Sequence, residues 1–170
     1  MLVSHTPYTV SKARVQFVSE ANLEKIKALS TQLHGVMDPG NNQFRFDVLL
    51  NTFHGFNNDL QEDHFLENYI EFEKYPKASF SGRIVDAINF EKPGRYEVRA
   101  KGDFCVHGIC INKIIPVQIT ILNERQLRAQ TIFTFNLQEF QIRVPKVVHK
   151  KVAENIAIQI DIQMESKPTP

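Results

Sequence analysis

Apolar and polar residues alternate one for one through four stretches of the chain. Phe44, Phe46, Val48 and Leu50 share one face, with Arg45 and Asp47 opposite. Tyr96, Val98, Ala100, Gly102 and Phe104 form a second stripe, set against Arg95, Glu97, Arg99, Lys101 and Asp103. The pattern returns at Leu127, Ala129, Thr131, Phe133, Phe135 and Leu137, and again at Ile156, Ile158, Ile160, Ile162 and Met164. Each stretch predicts a strand with one wet and one buried face. Weaker alternation marks Tyr8 to Val18, Glu24 to His34, Ala78 to Val85 and Ile111 to Leu122. Within Asn22 to Leu33, the residues Leu23, Ile26 and Leu29 also fit a helical stripe; we read that segment as strand. The total is about eight strands, the number at which a closed antiparallel barrel holds either packed side chains or one small ligand. Asp38-Pro39-Gly40-Asn41-Asn42 and Glu91-Lys92-Pro93-Gly94 supply hairpin-type turns, so the expected order is up-and-down. Only Lys167 to Pro170 reads as disordered tail.

Leu60 to Pro76 breaks the pattern. Asn58 and Asp59 suit a helix N-cap, and Glu62 and Asp63 place carboxylates in the first turn. Phe65, Tyr69 and Phe72 make an aromatic stripe, and Pro76 ends the expected helix. A β-sandwich explains the alternation as well as a barrel does, but has no need of such an island. A barrel has open ends, and an amphipathic segment is a natural cap for one of them.

Composition narrows the function classes. The chain has 170 residues and a formal net charge of +1, with both signs spread throughout, as expected of one domain with no polybasic nucleic-acid footprint. No apolar run approaches the roughly 20 residues of a membrane-spanning helix. Met1 to Pro7 shows no basic-then-apolar leader, which suits a cytoplasmic protein if Met1 is the native start. Cys105 and Cys110 have neither redox nor zinc-ribbon spacing. The plain reading is two half-buried thiols at strand ends; a hairpin loop at Val106 to Ile109 would instead bring them within disulfide reach.

Candidate chemistry is sparse. No nucleophile elbow, phosphate loop or dinucleotide fingerprint is present. Ser81 before Gly82 lies within a strand pattern, where glycine marks a bend or close packing. His64 and Glu67 have a metal-like spacing but need a third ligand such as His54 or His107, so we expect no metal and no cofactor. His107-Gly108 reads as a turn. Lys146, His149, Lys150 and Lys151 form the one basic cluster, either a solvated loop or an anion-receptive rim.

Several ordered segments also carry a family resemblance. Gln61-Glu62-Asp63-His64-Phe65-Leu66-Glu67-Asn68-Tyr69 and Glu73-Lys74-Tyr75-Pro76-Lys77-Ala78-Ser79-Phe80-Ser81-Gly82 resemble the signature of the YceI-like lipid-binding proteins. Gly94 to Val98 and Gly102 to Ile109 resemble the strand leading into that family's His-Gly turn, and Phe140 to Pro145 its late Ile-x-x-Pro element. Tyr8 to Phe17 is similar to its opening strand, so the likeness runs from Tyr8 to Met164. The cysteines depart from the polar or small residues usual around the turn. The resemblance implies an extended, lipocalin-like, eight-stranded antiparallel barrel enclosing an apolar tunnel for a long isoprenoid or similar amphiphile, in the bacterial periplasm.

Together these readings predict a mainly β protein with a short helical segment at one end. They predict a non-enzymatic carrier of a polyisoprenoid, isoprenoid quinone or fatty-acyl chain. Transient membrane contact and a homodimer are compatible with it. The expected tunnel lining is Phe44, Phe46, Val48, Phe80, Tyr96, Val98, Phe104, Phe133 and Phe135. His64, Phe65, Tyr69, Phe72 and Tyr75 are expected at a mouth or lid. The competing readings are a hydrolase or isomerase with His64 or His107 as general base, and a fully packed barrel with no cavity.

Overall fold

The computed structural model describes Thr6 to Lys167. The leader reading for residues 1–5 and the tail reading for 168–170 lie outside the described residues. Among the described residues nine strand segments run in chain order: β1 Tyr8–Glu20, β2 Lys25–Ser30, β3 His34–Asp38, β4 Gln43–Leu49, β5 Lys77–Ile84, β6 Gly94–Val106, β7 Ile109–Asn123, β8 Gln126–Asn136 and β9 Asn155–Ser166. All neighbours are antiparallel, and β9 returns to pair with β1 along almost its whole length, which closes the sheet. The barrel nevertheless has eight staves, because β2 and β3 share one. Both pair with β1 in a single register, Val15 opposite Ser30 and Tyr8 opposite Met37.

The break between β2 and β3 has a local cause. Ser30, 1% exposed, accepts the Gln32 N–H at 3.1 Å and shares a 2.7 Å hydrogen bond with the Thr52 hydroxyl. The captured amide leaves the ladder, and pairing with β1 resumes only at Val36. The strand expected from Glu24 to His34 therefore stops at Ser30, and its continuation reaches Asp38. The helical alternative for that segment fails because Leu23, which would head the stripe, is 68% exposed.

β1 owes its weak alternation to a bulge between Val10 and Lys12. Tyr8 is buried before it and Ala13 and Val15 after it, so the inward phase shifts by one residue. β7 carries a different irregularity. Its ladder to β8 stops at Gln118 opposite Gln130, although both strands continue past that point. Pro116 sits just beyond the stop. Its carbonyl faces β8, accepting the Thr131 hydroxyl at 2.7 Å, and on that same edge the proline has no N–H to offer.

The two ends of the barrel differ in construction. The β3–β4, β5–β6 and β7–β8 connections meet at one end, here the floor. The β1–β2 turn, the segment from β4 to β5, the His107-Gly108 turn and the β8–β9 crossover meet at the other, the mouth. Cys105 and Cys110 are joined by a disulfide, correcting the reading of free thiols. The two-residue turn makes them direct cross-strand partners, which the spacing alone left open.

The helical island is shorter than predicted. α1 spans Asp59–His64, with the Asn58 side chain accepting the Gln61 N–H at 2.8 Å. One π-helical turn, Phe65–Tyr69, follows, closed by Ile70 N–H to Phe65 O at 3.1 Å. Glu71 then takes a left-handed conformation, φ 51°, and its carbonyl accepts the N–H groups of Lys74 and Tyr75 at 2.9 and 3.0 Å. The helix therefore ends before Pro76 can stop it.

Candidate functional site

The barrel encloses a cavity of about 430 Å³, reaching from a packed floor to the mouth. Its walls are built from the inward residues of the strands. Phe44, Phe46, Val48, Phe80, Phe104, Phe133 and Phe135 all line it. Space remains among these large side chains because Ala78, Ala100 and Ala129 line the wall with them. Gly82 and Gly102, paired across β5 and β6, approach so closely that a Cβ on Gly82 would lie 2.0 Å from the Lys101 carbonyl oxygen. At the floor, Leu127 and Met164 are each 1% exposed.

Polar lining is concentrated at the mouth, where Ser19, Glu24, Asn58, Gln61, His64 and Lys151 gather; on the wall only Ser79 and Thr131 add hydroxyls. Thr131 is already bonded to Pro116. Among the described residues no buried side-chain nitrogen or oxygen lacks a hydrogen-bond partner, so nothing deep in the chamber calls for a polar ligand group.

Hydrogen bonds and aromatic contacts hold the mouth segments in place. Glu24 accepts from Asn57 at 3.1 Å and from Gln61 at 3.3 Å, tying the β1–β2 turn to the start of α1. Phe65 anchors the lid by packing on Phe17 and Phe56, ring centroids 5.2 and 5.1 Å apart. Tyr69 is half-buried, and burial raises its phenol pKa. On the far side His107 bonds Glu71 at 2.6 Å through Nε2 and the Phe140 carbonyl at 2.8 Å through Nδ1. The hydrogen bond from His107, assisted by one from Lys74, holds the Glu71 carboxyl below the usual carboxylate range.

Of the expected mouth residues, His64, Phe65 and Tyr69 line the cavity. Phe72 packs against the core beyond the end of the helix, and Tyr75 lies edge-on to His107 with its ring over Gly108. Tyr96 and Val98 also lie off the cavity wall. Tyr96 sends its hydroxyl to the Asn89 and Lys92 carbonyls, bracing the β5–β6 loop, and Val98 is buried in the core. Three aromatic lining residues escaped the sequence reading: Phe17, Phe53 and Phe56. Phe17 follows the phase shift in β1, and the other two fall in an irregular segment with no period to read.

The metal-like spacing at His64 and Glu67 gathers no third ligand. His54 pairs with Glu62 at 3.3 Å and His107 with Glu71. Among the described residues no group of three His, Cys, Asp or Glu side chains is arranged to hold a metal ion.

This is a closed up-and-down β-barrel with an internal chamber, apolar in depth and polar at one end. The chain belongs to the YceI-like family, whose domain matches residues 8–164. Solved structures share the fold at low identity. A polyisoprenoid-binding domain from Saccharophagus degradans, implicated in plant cell wall breakdown, superposes with a TM-score of 0.78 at 11% identity, covering 96% of this chain and 100% of that one. BcnA of Burkholderia cenocepacia gives 0.71 at 15% identity, covering 89% and 95%. A Campylobacter jejuni YCEI protein gives 0.58 at 9%, covering 99% and 89%. None of the curated proteins matches the chain.

Proposed function

We propose that the protein is a non-enzymatic carrier that takes one long-chain amphiphile into the barrel, its apolar tail toward the floor and its polar end at the mouth. The observation that carries this reading is the distribution of lining groups: an apolar chamber with polar side chains concentrated at one end. Ten buried CH₂ groups contribute on the order of 8 kcal/mol before ordering costs, so the deep chamber needs no polar anchor. The named ligand of the S. degradans domain supports a polyisoprenoid; an isoprenoid quinone or a fatty-acyl chain fits the same chamber chemistry.

Such a carrier transports lipid through transient contact with membranes. The Cys105–Cys110 disulfide favours an oxidising compartment, which supports the periplasm. The hydrolase or isomerase alternative gains no support from the histidines. His107 has both ring nitrogens engaged and lies off the cavity wall, and His64 is in none of the described ion pairs.

Native mass spectrometry of the purified protein, followed by uptake of labelled prenyl and acyl lipids, tests the proposal. A single retained lipid per barrel is expected. Neither retained lipid nor uptake would overturn it, and chemical conversion of a captured lipid would favour the enzyme.

A further inference from the structure

One side of the mouth carries apolar tips among unpaired cations. Val147 is 91% exposed and Leu23 68%, and both stand on connections rather than on the outer face of a strand. The two are neighbours in space, because Leu23 N–H donates to the Lys150 carbonyl at 2.8 Å. Lys146, Lys150 and Lys151 share the β8–β9 connection with Val147, and Arg143 precedes them, in a run from Gln141 to Ala153 without one acidic residue; on the other connection Glu20 and Glu24 flank Leu23. None of these four cations takes part in the described ion pairs. The next segment round the rim, tied to the Leu23 turn through Glu24, carries Asp59, Glu62 and Asp63 on α1 with the exposed Leu60 among them.

We infer that the barrel exchanges its lipid while seated on an anionic bilayer through this basic side of the mouth, with Leu23 and Val147 entering the headgroup layer. The inference rests on the carrier reading above and adds the surface and the partner. Two observations select a membrane. The first is charge: a local concentration of lysines on the β8–β9 connection complements anionic headgroups. The second is continuity. Val148, Lys151 and Val152 line the cavity, while Val147 and Lys150, interleaved with them in sequence, stand outside. A chain sliding out past Val148 and Val152 therefore meets the two apolar tips directly.

The test uses the full chain with vesicles of phosphatidylcholine, with and without phosphatidylglycerol. Association is read by flotation, and uptake of a fluorescent prenyl lipid from a cyclodextrin complex is read separately. Association should require phosphatidylglycerol and weaken with salt. Lys146→Glu with Lys150→Glu should lower it by about ten-fold or more while leaving cyclodextrin uptake unchanged. Leu23→Ser with Val147→Ser should slow transfer from loaded protein to vesicles, and Asp63→Asn on α1 should not reduce association. Circular dichroism checks that each variant is folded. Equal association with neutral and anionic vesicles, or association unchanged by the two lysine reversals, would overturn the inference. Loss of uptake in the unaltered protein would instead overturn the carrier reading, and the vesicle result would still stand by itself.

Discussion

The floor and the mouth of this barrel are made of different kinds of interaction. At the floor the fold is continuous ladder and packed side chain. Leu127 and Met164 are 1% exposed, Ile121 is 2%, and the Tyr8 hydroxyl bonds the Glu124 carbonyl at 3.1 Å. Short turns there are fixed by their own side chains, as where Asp38 accepts the Gly40 N–H and Asn123 that of Arg125. At the mouth, separate segments are joined largely by side-chain bonds: Glu24 to Asn57 and Gln61, and His107 to Glu71 and Phe140. Such bonds each add only about 1 kcal/mol net, so a segment can leave without unfolding the wall. One end is held by packing and continuous ladder, the other more by bonds between side chains of separate segments.

The largest expected effect lies at the floor. Leu127→Ala should lower unfolding free energy by roughly 2 to 5 kcal/mol in urea titration, through lost burial and the cavity left behind. A change below about 1 kcal/mol would mean that the floor is as yielding as the mouth. Next is the hairpin staple. Cys105→Ser with Cys110→Ser should reduce stability by about 2 kcal/mol, on the loop-closure scale for a short loop. The effect should match that of reducing agent on the unaltered protein.

Smaller again is the lid. Asn58→Ala removes the N-cap of α1, worth about 1 kcal/mol locally. Amide exchange in 59–69 should quicken by several-fold while floor amides stay protected; uniform quickening would erase the distinction between the ends. The smallest effect is pH-dependent. Because the Glu71 carboxyl is held below its ordinary value, its contribution is complete above the usual carboxylate range and drains away as pH falls through its depressed folded value. On acidification the amides of 70–75 should lose protection, and Glu71→Gln should flatten that response. An unchanged acid response in the variant would assign it to another carboxylate.

Most of the wall was legible in the sequence because each strand has one wet face, which makes its period visible. The exceptions have physical causes. The bulge after Val10 shifts the phase of β1, and Ser30 pulls the Gln32 amide out of the second stave. The chamber itself was harder to read. Alternation says which residues point inward, but not whether the small ones, Ala78, Ala100 and Ala129, leave room beside the large. Phe140, with no exposed surface, packs on Phe104 and Phe135 at 5.2 and 5.4 Å from a crossover that has no repeating pattern. Its importance follows only from where the chain brings it.

Pro116 gives the wall a seam. Beyond it β7 and β8 run on without shared ladder bonds, so drawing them apart there breaks no backbone hydrogen bond between them. The Thr131 hydroxyl contact and the side chains packed across the gap are what must yield. The girth of the barrel is thus least constrained along this line.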